Sequence, residues 1–555
     1  MWAIQPRSLT NVQPGDGSIS EGQHMDSETF EPDEFTLPEL DYSEPPAGSN
    51  RRSFMMRSAM AAAVAALGGR VNPLWAQTPT TPPLGGGDVD PNLQVVKNTK
   101  GPVMTLVDEF YKVGPGPSSS HTIGPMRITY DFYQRASKLP ADQLARATAL
   151  RVNLFGSLSA TGKGHGTERA ALAGLAGYEP ATIDPAILDE LAANPSKTFP
   201  VKLGTKTLTV GLKDVIYDAT KGEFHHPNTM KVALLAGDKP LLEQEYYSVG
   251  GGFIEWKGME PPKKNPPKYP YSTMAEVLAH LKRDNISLAQ LAYANELAIA
   301  GRDKAQVDAI LDKVLGAMRA TVKTGLNAPT ATLPGPIKLK TKAGDVYKNA
   351  MAIQEPARRG IGLVSAAALA GSEENARGHL VITAPTGGSA GVMPAIIYSL
   401  GPEGAKKSDQ KQREALLAGA IVGYLCKHNA TLSAAEGGCQ AEIGVASAMG
   451  AAAIAQAHDA APAIAANGAG AALEHHLGMT CDPVAGFVQI PCIERCAFGA
   501  VKSWTGYLIA SNEIADNRRV DLDTVITALA QTAKDMNPKY KETSEAGLAQ
   551  ALVLC

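Results

Sequence analysis

The cysteines are the residues of this sequence whose chemistry is most readily recognised. Five of the six lie between positions 426 and 496. The full set is Cys426, Cys439, Cys481, Cys492, Cys496 and Cys555. Disulfide frameworks are typical of short secreted chains. In a chain of 555 residues we therefore interpret these thiols first as metal or cluster ligands.

Thiolates hold iron–sulfur clusters, often with a proline or glycine near the ligand, as at Cys439 and Cys492. Three ligands on a four-iron cluster leave one iron open, and an open iron can bind and polarise a hydroxyl group. The chain has no tight C-x-x-C pair, so two alternatives stay open. One is a tetrahedral zinc site, and the other is a set of reduced, buried thiols that act as small hydrophobes.

A histidine surrounded by hydroxyl groups forms a second candidate site. Residues 114–127 read GPGPSSSHTIGPMR, with His121 at the centre. The flanking hydroxyl residues are Ser118, Ser119, Ser120 and Thr122. Hydroxyl groups can hold a carboxylate or water, and the imidazole can act as a base near neutral pH. N–H groups at the start of a helix near Ile123 can also face an anion. The alternative is a polar capping loop with an incidental histidine.

A glycine-rich stretch, FGSLSATGKGHGT at 155–167, follows a predicted strand and precedes a predicted helix. Its glycines permit close approach of the backbone to a ligand, and Lys163 and His165 can meet an anion there. The stretch lacks the spacing of a phosphate-binding P-loop. An ordinary strand-to-helix turn is an equal alternative.

Two adjacent histidines, His225 and His226, begin the segment HHPNTM. Neighbouring residues of an extended chain point in opposite directions, so both cannot face one site. We therefore do not expect a di-histidine metal site, and we expect one histidine to line a cleft while the other is solvated.

A second glycine-rich turn, TAPTGGSAG at 383–391, opens an apolar helical stretch. Such a turn presents backbone N–H groups to an anion, for example a substrate carboxylate. A plain helix N-terminus is the alternative interpretation.

The elements that position these residues change character along the chain. Apolar residues alternate with polar ones at 150–154 and again at 208–212, which predicts strands, the second as a hairpin arm. Segments 122–139 and 166–176 are predicted helices. Residues 103–258 are therefore expected to form an α/β (α+β) domain.

The second half of the chain is predicted to be mostly helical. A Pro/Lys-rich linker at 259–272 is followed by one apolar helical face at 307–318. Alanine-rich stretches at 364–370, 414–422 and 446–457 allow helices to pack closely. We expect residues 273–555 to form a helical catalytic domain.

Residues 1–100 differ from the rest of the chain. The first fifty are acidic and polar and are expected to be disordered. Paired arginines, Arg51 and Arg52, precede an apolar stretch from Ala59 to Leu67, so residues 51–77 resemble a twin-arginine export signal. A basic, apolar segment without such a role is the alternative. No apolar stretch is long enough for a transmembrane helix, and a net charge of -3 indicates neither nucleic acid nor a membrane as partner.

Taken together, the motifs resemble those of the iron–sulfur-dependent L-serine dehydratases, or L-serine ammonia-lyases, of the one-chain bacterial type. They occur in the family's order and span residues 103–555. The matching stretches are GPGPSSSHTIGPMR, GSLSATGKGHGTERA, HHPNTM, YYSVGGGF, TAPTGGSAGV, LSAAEGGCQAEIGVASAMGA, LGMTCDPVAGFVQIPCIER and KYKETSEAGLA.

The resemblance implies that L-serine is converted to pyruvate and ammonia on a [4Fe–4S] cluster. It implies Cys439, Cys481 and Cys492 as ligands, with Cys555 capping the fourth iron, and His121 as our candidate base. The implied substrate-binding residues are Ser118, Ser119, Ser120, Thr122, Lys163, His165, His226, Asn228, Thr386, Gly388 and Ser389. Cys426 and Cys496 match no ligand of the family, and many relatives carry asparagine where this chain has Gly387.

Rival functions remain at this stage. A pyridoxal-phosphate dehydratase would need a Schiff-base lysine, for which Lys163 is the candidate, but it leaves the cysteine motifs unexplained. An iron–sulfur redox sensor or electron carrier would want a fully ligated cluster, and a dehydratase for another hydroxy acid is the nearest enzymatic alternative. The resemblance further implies a cytoplasmic homo-oligomer, a dimer in the simplest case, with periplasmic export as the alternative if 51–77 is a signal.

Overall fold

The computed structural model describes residues 101–220, 222, 224–260, 263–514 and 518–552. All of them belong to one compact unit of the chain. The predictions for residues 1–100, for the signal-like segment 51–77 and for Cys555 lie outside the described residues. Within the described residues, no helix is both long enough and apolar enough to cross a membrane.

The strands and helices follow the predicted change from mixed to helical structure. The strands are β1 Lys112–Pro115, β2 Ala149–Leu154, β3 Thr198–Leu203, β4 Lys206–Gly211, β5 Val215–Tyr217, β6 Thr229–Ala236, β7 Lys239–Ser248, β8 Ile254–Trp256 and β9 Leu380–Thr383. The helices before residue 260 are α1 Val107–Phe110, α2 Gly124–Ala136, α3 Ala141–Ala145, α4 Ser157–His165, α5 Thr167–Leu175 and α6 Pro185–Ala193.

Beyond residue 260 the described chain is almost entirely helical. The helices are α7 Met274–Asp284, α8 Leu288–Ala300, α9 Lys304–Asn327, α10 Ala343–Ala352, α11 Pro356–Ala376, α12 Val392–Leu400, α13 Asp409–Asn429, α14 Ala434–Gly437, α15 Ile443–Ala457, α16 Pro462–Glu474, α17 Cys492–Asn512, α18 Leu522–Asp535 and α19 Leu548–Ala551.

A five-stranded sheet in the order β5–β2–β6–β7–β8 is the base of the α/β part. β2 runs parallel to β5, and the other neighbouring pairs are antiparallel. Along β2 the apolar side chains are buried and Arg151 is exposed, as the alternation predicts. Val152 packs in one apolar core with Phe132 of α2 and Leu172 of α5.

The alanine-rich helices α13, α15, α16 and α17 form the centre of the second half. Small residues let them approach closely: a Cβ at Gly506 would lie 2.6 Å from the carbonyl oxygen of Gly468. Their apolar faces belong to one large core that also takes in α9 and α11. The predicted helical bundle is therefore present.

The first described residues pack with the helical half, although the sequence assigns 103–258 to the small domain. Val107 and Phe110 are buried in the helical core. β1 pairs antiparallel with β9, from Lys112 opposite Thr383 to Pro115 opposite Leu380. This pairing joins residues 265 to 271 positions apart, and local periodicity cannot reveal it.

The segment 155–167 differs from its prediction as a glycine-rich turn. Residues Ser157–His165 are themselves a helix, α4, and only Gly166 separates α4 from α5. The hydroxyl and small residues tolerate helical backbone, and packing against neighbouring elements outweighs the low helix propensity of glycine.

Candidate active site

Three strand ends of the five-stranded sheet meet at the candidate site. The backbone N–H of Ser157, just after β2, donates to the carbonyl of Pro227 before β6 at 2.9 Å. The side-chain amide of Asn228 donates to the carbonyl of Ser248, at the end of β7, at 3.1 Å. Ser248 in turn donates its hydroxyl to the carbonyl of Ser120 at 2.7 Å. The sheet edge thus holds the motifs at 118–122, 157–165 and 226–228 together.

The SSSHT motif forms a single π-helical turn, Ser119–Ile123, that leads directly into α2. Ser118 caps this turn, because its hydroxyl accepts the backbone N–H of His121 at 3.1 Å. The predicted helix start near Ile123 is therefore confirmed, while the π turn before it was not anticipated. Such turns are frequent at functional sites.

His121 is fully buried and is held at both ring nitrogens. Its Nδ1 shares a hydrogen bond with the hydroxyl of Ser120 at 2.9 Å, and its Nε2 shares one with the hydroxyl of Ser157 at 3.1 Å. Burial, followed by the neighbouring His165, lowers the pKa of His121 well below its ordinary value. The imidazole is therefore neutral at pH 7 and able to accept a proton.

Helix α4 directs the two anion-binding candidates of the glycine-rich stretch, Lys163 and His165, to different sides. His165 is buried, with its ring centroid 4.6 Å from that of His121, whereas Lys163 is exposed and lies near the ring of Tyr217. Residues two apart on a helix point about 200° apart around its axis, so they cannot face one site. The structure places Lys163 outside the group around His121, and this exposed position does not suit a buried Schiff-base lysine.

The histidine pair behaves as expected. His225 is exposed and His226 is buried, which confirms that only one of them lines an enclosed site. The Nδ1 of His226 accepts the N–H of Asn228 at 2.9 Å, and its Nε2 lies 3.4 Å from Oε1 of Glu436.

A carboxylate that the motif analysis did not single out, Glu542, completes the histidine group. Its Oε1 lies 3.5 Å from Nδ1 of His121 and 3.8 Å from Nε2 of His165. Glu542 has a left-handed φ of 59°, and its N–H donates to the carbonyl of Cys481 at 2.8 Å. Burial, then Glu442 and the Cys439 thiolate, raise the pKa of Glu542. Its carboxylate form therefore needs a cation nearby.

The three cysteines expected to bind a cluster converge. The thiols of Cys481 and Cys492 both donate to the sulfur of Cys439. The ligand atoms of Cys439, Cys481 and Glu442 lie within 4.8 Å of one another. The pKa of Cys439 is lowered by hydrogen bonds from the two thiols and by the charge of Arg495. Metal binding requires deprotonated thiols. These surroundings favour the thiolate at Cys439 alone, because the contact with Cys439 and then burial raise the pKa of Cys481 and Cys492.

Local structure explains how residues far apart in sequence bring these sulfurs together. Cys439 follows the short helix α14, and Cys492 is the first residue of α17. The backbone N–H of Cys481 donates to the carbonyl of Tyr540 at 2.8 Å, which pairs the loop around Cys481 with the C-terminal segment. Arg495, one turn into α17, donates to the carbonyl of Thr480 at 2.6 Å.

The TAPTGGSAG turn lies against both the residues around His121 and the residues around Cys439. Thr386 and Ser389 share a hydrogen bond between their hydroxyls at 3.0 Å. A Cβ at Gly388 would lie 2.5 Å from Oε2 of Glu442, and one at Gly387 would lie 2.7 Å from the backbone nitrogen of Ser119. Burial, then Cys439, raise the pKa of Glu442 to about 8. Because a Cβ at either position would be in too close contact, the two glycines allow the turn to approach Ser119 and Glu442.

Several buried polar atoms in this region have no hydrogen-bond partner among the described residues. They are Ser119 Oγ, His165 Nε2, His226 Nε2, Asn228 Oδ1, Ser433 Oγ, Gln440 Nε2 and Glu542 Oε2. Buried polar groups normally find partners, so a concentration of unpartnered ones indicates a site that binds a polar ligand. Three adjacent thiols also have the right chemistry for an iron–sulfur cluster, and they fit this cofactor.

The structure thus brings together most of the residues selected from sequence and adds four. Sequence reasoning missed Ser157, Glu442, Arg495 and Glu542. Of these, Glu442 and Arg495 lie three residues from a cysteine ligand candidate, which is a usable signal. The other two have no spacing signal at all. Cys426 and Cys496 stay outside the sulfur group, and the Cys496 thiol instead donates to Gly388 O at 3.3 Å.

Comparison with known proteins shows the family of the chain. The family model described as serine dehydratase beta chain matches residues 106–259, and the one described as serine dehydratase alpha chain matches residues 283–549. The L-serine dehydratase of Haemophilus influenzae is 37% identical over 459 residues, which are 81% of this chain and 100% of that protein. This chain belongs to the L-serine dehydratase family.

Further relatives cover the chain to the same extent. L-serine dehydratase 2 of Escherichia coli is 37% identical over 469 residues, covering 81% of this chain and 100% of that protein. The L-serine dehydratase of Streptomyces coelicolor is 36% identical over 458 residues, covering 81% and 99%. Because one chain matches the beta-chain and then the alpha-chain model, it is an L-serine dehydratase family member of the one-chain bacterial type.

The close backbone approach at Gly387 gives a first prediction. In Gly387→Ala the new methyl group would meet the backbone of 118–119, which cannot move as a flexible side chain can. We expect a loss of about 1–3 kcal/mol in the free energy of unfolding, measured by denaturant titration. Gly316→Ala is the control, since Gly316 has nothing within 4 Å of its Cβ position. Equal stability of the two variants would refute the contact argument.

The buried histidines predict a loss of stability in acid. Burial lowers the pKa of His165 to about 4 from an ordinary value of 6.5. Between these two pH values the unfolded chain takes up a proton that the folded chain refuses, so stability falls as the pH falls below 6.5. For His165 alone we expect about 2 kcal/mol less stability at pH 5 than at pH 7.5. Urea titrations of cluster-free protein measure it, and His165→Asn should have a shallower pH dependence; an identical slope would contradict the assignment.

Proposed function

We propose that this protein is an L-serine ammonia-lyase that converts L-serine to pyruvate and ammonia with a [4Fe–4S] cluster. The observation that carries the proposal is a buried, neutral His121 in the same enclosed region as three converging thiols, joined to them through Glu542 and Cys481. The names of the relatives support serine as substrate.

Cys439, Cys481 and Cys492 would hold the cluster. When bound, its open iron would act as a Lewis acid on the β-hydroxyl of the substrate and make that group easier to lose. A zinc ion can bind thiolates too, so the metal content decides between these cofactors.

His121 is the proposed base. The α-proton of serine is weakly acidic, and its removal needs a group that is unprotonated at neutral pH. The Ser120 and Ser157 hydroxyls fix the imidazole ring at its two nitrogens. This spares the enzyme the entropy of orienting the base during turnover.

The polar residues around His121 would hold the substrate's carboxylate and ammonium groups. We propose the substrate-binding set inferred from sequence with the exception of the exposed Lys163, namely Ser118, Ser119, Ser120, Thr122, His165, His226, Asn228, Thr386, Gly388 and Ser389. Ser119 Oγ and Asn228 Oδ1 are buried and free to bind a ligand within the described structure, which supports their inclusion.

Loss of the α-proton and the β-hydroxyl as water leaves aminoacrylate. This compound tautomerises to an imine, and water then hydrolyses the imine to pyruvate and ammonia. No electron leaves or enters the substrate in these steps. The protein therefore needs no redox partner for the reaction.

Cys555 is the proposed fourth cluster ligand in the resting protein. The described chain brings the tail close to the site, because Leu548 N–H donates to Oδ2 of Asp482, next to Cys481, at 2.6 Å. The three residues beyond Leu552 can span about 10 Å. Substrate would have to displace the Cys555 thiolate before its hydroxyl could be bound. Cys555→Ser should therefore alter activity or its dependence on serine concentration, and an unchanged profile would dismiss this role.

Anaerobic reconstitution with iron and sulfide, followed by a pyruvate assay, tests the function. We expect pyruvate and ammonia in equal amounts from L-serine, with slower turnover of threonine and of other hydroxy acids. A protein that binds a cluster, releases no product and is reversibly reduced would be an electron carrier or sensor instead.

A further inference from the structure

We propose that Glu542 binds the ammonium group of the substrate and so selects β-hydroxy amino acids over hydroxy acids without an amine. This inference deepens the proposed function, on which it rests, by assigning the carboxylate that recognises one part of the substrate. It concerns a residue that lies in the matching stretch KYKETSEAGLA but received no role from the sequence.

The backbone fixes where this carboxylate lies. The backbone of Glu542 is in the left-handed region. Its N–H donates to the carbonyl of Cys481, and the N–H of Cys481 donates to the carbonyl of Tyr540, each at 2.8 Å. The Ser157 hydroxyl, at the other side, donates to the Glu542 carbonyl at 3.3 Å. Two other parts of the chain, the Cys481 loop and the start of α4, therefore hold the residue, which is only 4% exposed.

One carboxylate oxygen of Glu542 is unsatisfied. Oε2 is buried and has no hydrogen-bond partner among the described residues. Oε1 lies beside His121 and His165, both of which are neutral at pH 7. Within the described part of the chain, these two histidines are the only basic side chains within 4 Å of the carboxylate. The group lacks a cation, and leaving a carboxylate unpaired in the interior is costly.

A guanidinium group in this region is already engaged elsewhere. Arg495 lies beside Cys439 and donates to Thr480 and Asp482. A ligand with a compact positive charge would supply the partner that the Glu542 carboxylate lacks, and an α-ammonium group is such a charge.

Binding at Glu542 would also place the reacting bond. The ammonium nitrogen and the α-hydrogen of an amino acid are attached to the same carbon. Because Oε1 of Glu542 is 3.5 Å from Nδ1 of His121, an ammonium group held by this carboxylate brings the α-hydrogen within reach of the base. Recognition and proton removal are thereby coupled through one carbon atom.

The test uses two ligands that differ only in the group at Cα and cannot be dehydrated, L-alanine and L-lactate. Their dissociation constants are measured by calorimetry on anaerobic, cluster-loaded protein. Wild-type protein should bind L-alanine more tightly than L-lactate. Glu542→Gln should weaken L-alanine binding by about 10- to 100-fold, the range of a charge-assisted hydrogen bond, and leave L-lactate within about threefold. Glu542→Asp should recover part of the loss.

The control is Glu545→Gln, three residues along the same segment and exposed, which should bind both ligands as the wild-type protein does. Iron content and thermal midpoint show whether each variant is folded and loaded. Equal weakening of both ligands in Glu542→Gln would mean that Glu542 only shapes the site, and unchanged L-alanine binding would mean that it has no part in binding. Either result overturns the inference. Failure to form pyruvate from serine would overturn the proposed function instead, while the binding ratio would still decide the role of Glu542.

Discussion

Replacing Cys439 with alanine should remove the cluster and at least about 99% of the pyruvate-forming activity. Cys439 is the sulfur to which both other thiols are hydrogen-bonded, and its carboxylate neighbour Glu442 lies within 4.8 Å. Two thiols that remain would hold the cluster through too few bonds to keep it assembled. Iron and acid-labile sulfide per chain, together with the rate of pyruvate formation, measure the effect.

Cys496→Ala is the matched control for this experiment. Cys496 is also buried and lies four residues from Cys492 on α17, but its thiol donates to the carbonyl of Gly388. Its loss should cost some stability and leave the iron content unchanged. Full iron and sulfide in Cys439→Ala, or equal losses in both variants, would show that the three thiols are not the cofactor site.

Replacing His121 with asparagine should lower kcat by about 100- to 10,000-fold while leaving the cluster intact. The amide can retain hydrogen bonds to the neighbouring hydroxyls, but it cannot accept a proton near neutral pH. The ring of His121 contacts none of the three cysteines in the described hydrogen bonds, so cofactor binding should survive. Steady-state rates at matched iron content give the effect.

His225→Asn provides the control for the base assignment. His225 belongs to the HHPNTM segment, and its exposed side chain contacts the ring of Tyr247. Its replacement should change kcat by less than about twofold. A His121→Asn protein with a full cluster and near-normal turnover would eliminate His121 as the base. His165 would then be the next candidate, because its unpartnered Nε2 faces the same carboxylate.

Local periodicity was sufficient for much of the fold. Alternation at 150–154 and 208–212 predicted β2 and β4, and the alanine-rich stretches predicted α11, α13 and α15. The pattern has period 2 or 3.6 in these places, and burial of one face follows from it directly. The pairing of β1 with β9 did not follow, because it is fixed by contacts far apart in sequence.

The site residues likewise divide into those that the sequence reveals and those that only the fold reveals. Residues whose chemistry is conspicuous, such as His121 and the three cysteines, could be selected from sequence because few other roles suit them. Glu542 could not be selected, since one glutamate among many carries no signal until a left-handed backbone and the Cys481 loop place it beside two histidines. Lys163 was selected as a substrate-binding residue from the same stretch as His165, but helical geometry turns its side chain to solvent.

The most direct test of the account compares cofactor content and turnover in one oxygen-protected sample. We predict about four iron and four sulfide per chain, as a [4Fe–4S] cluster requires, and a rate of pyruvate release from L-serine that declines in step with iron as a chelator removes it. Protein stripped of iron that still consumes L-serine at the original rate would contradict the central claim.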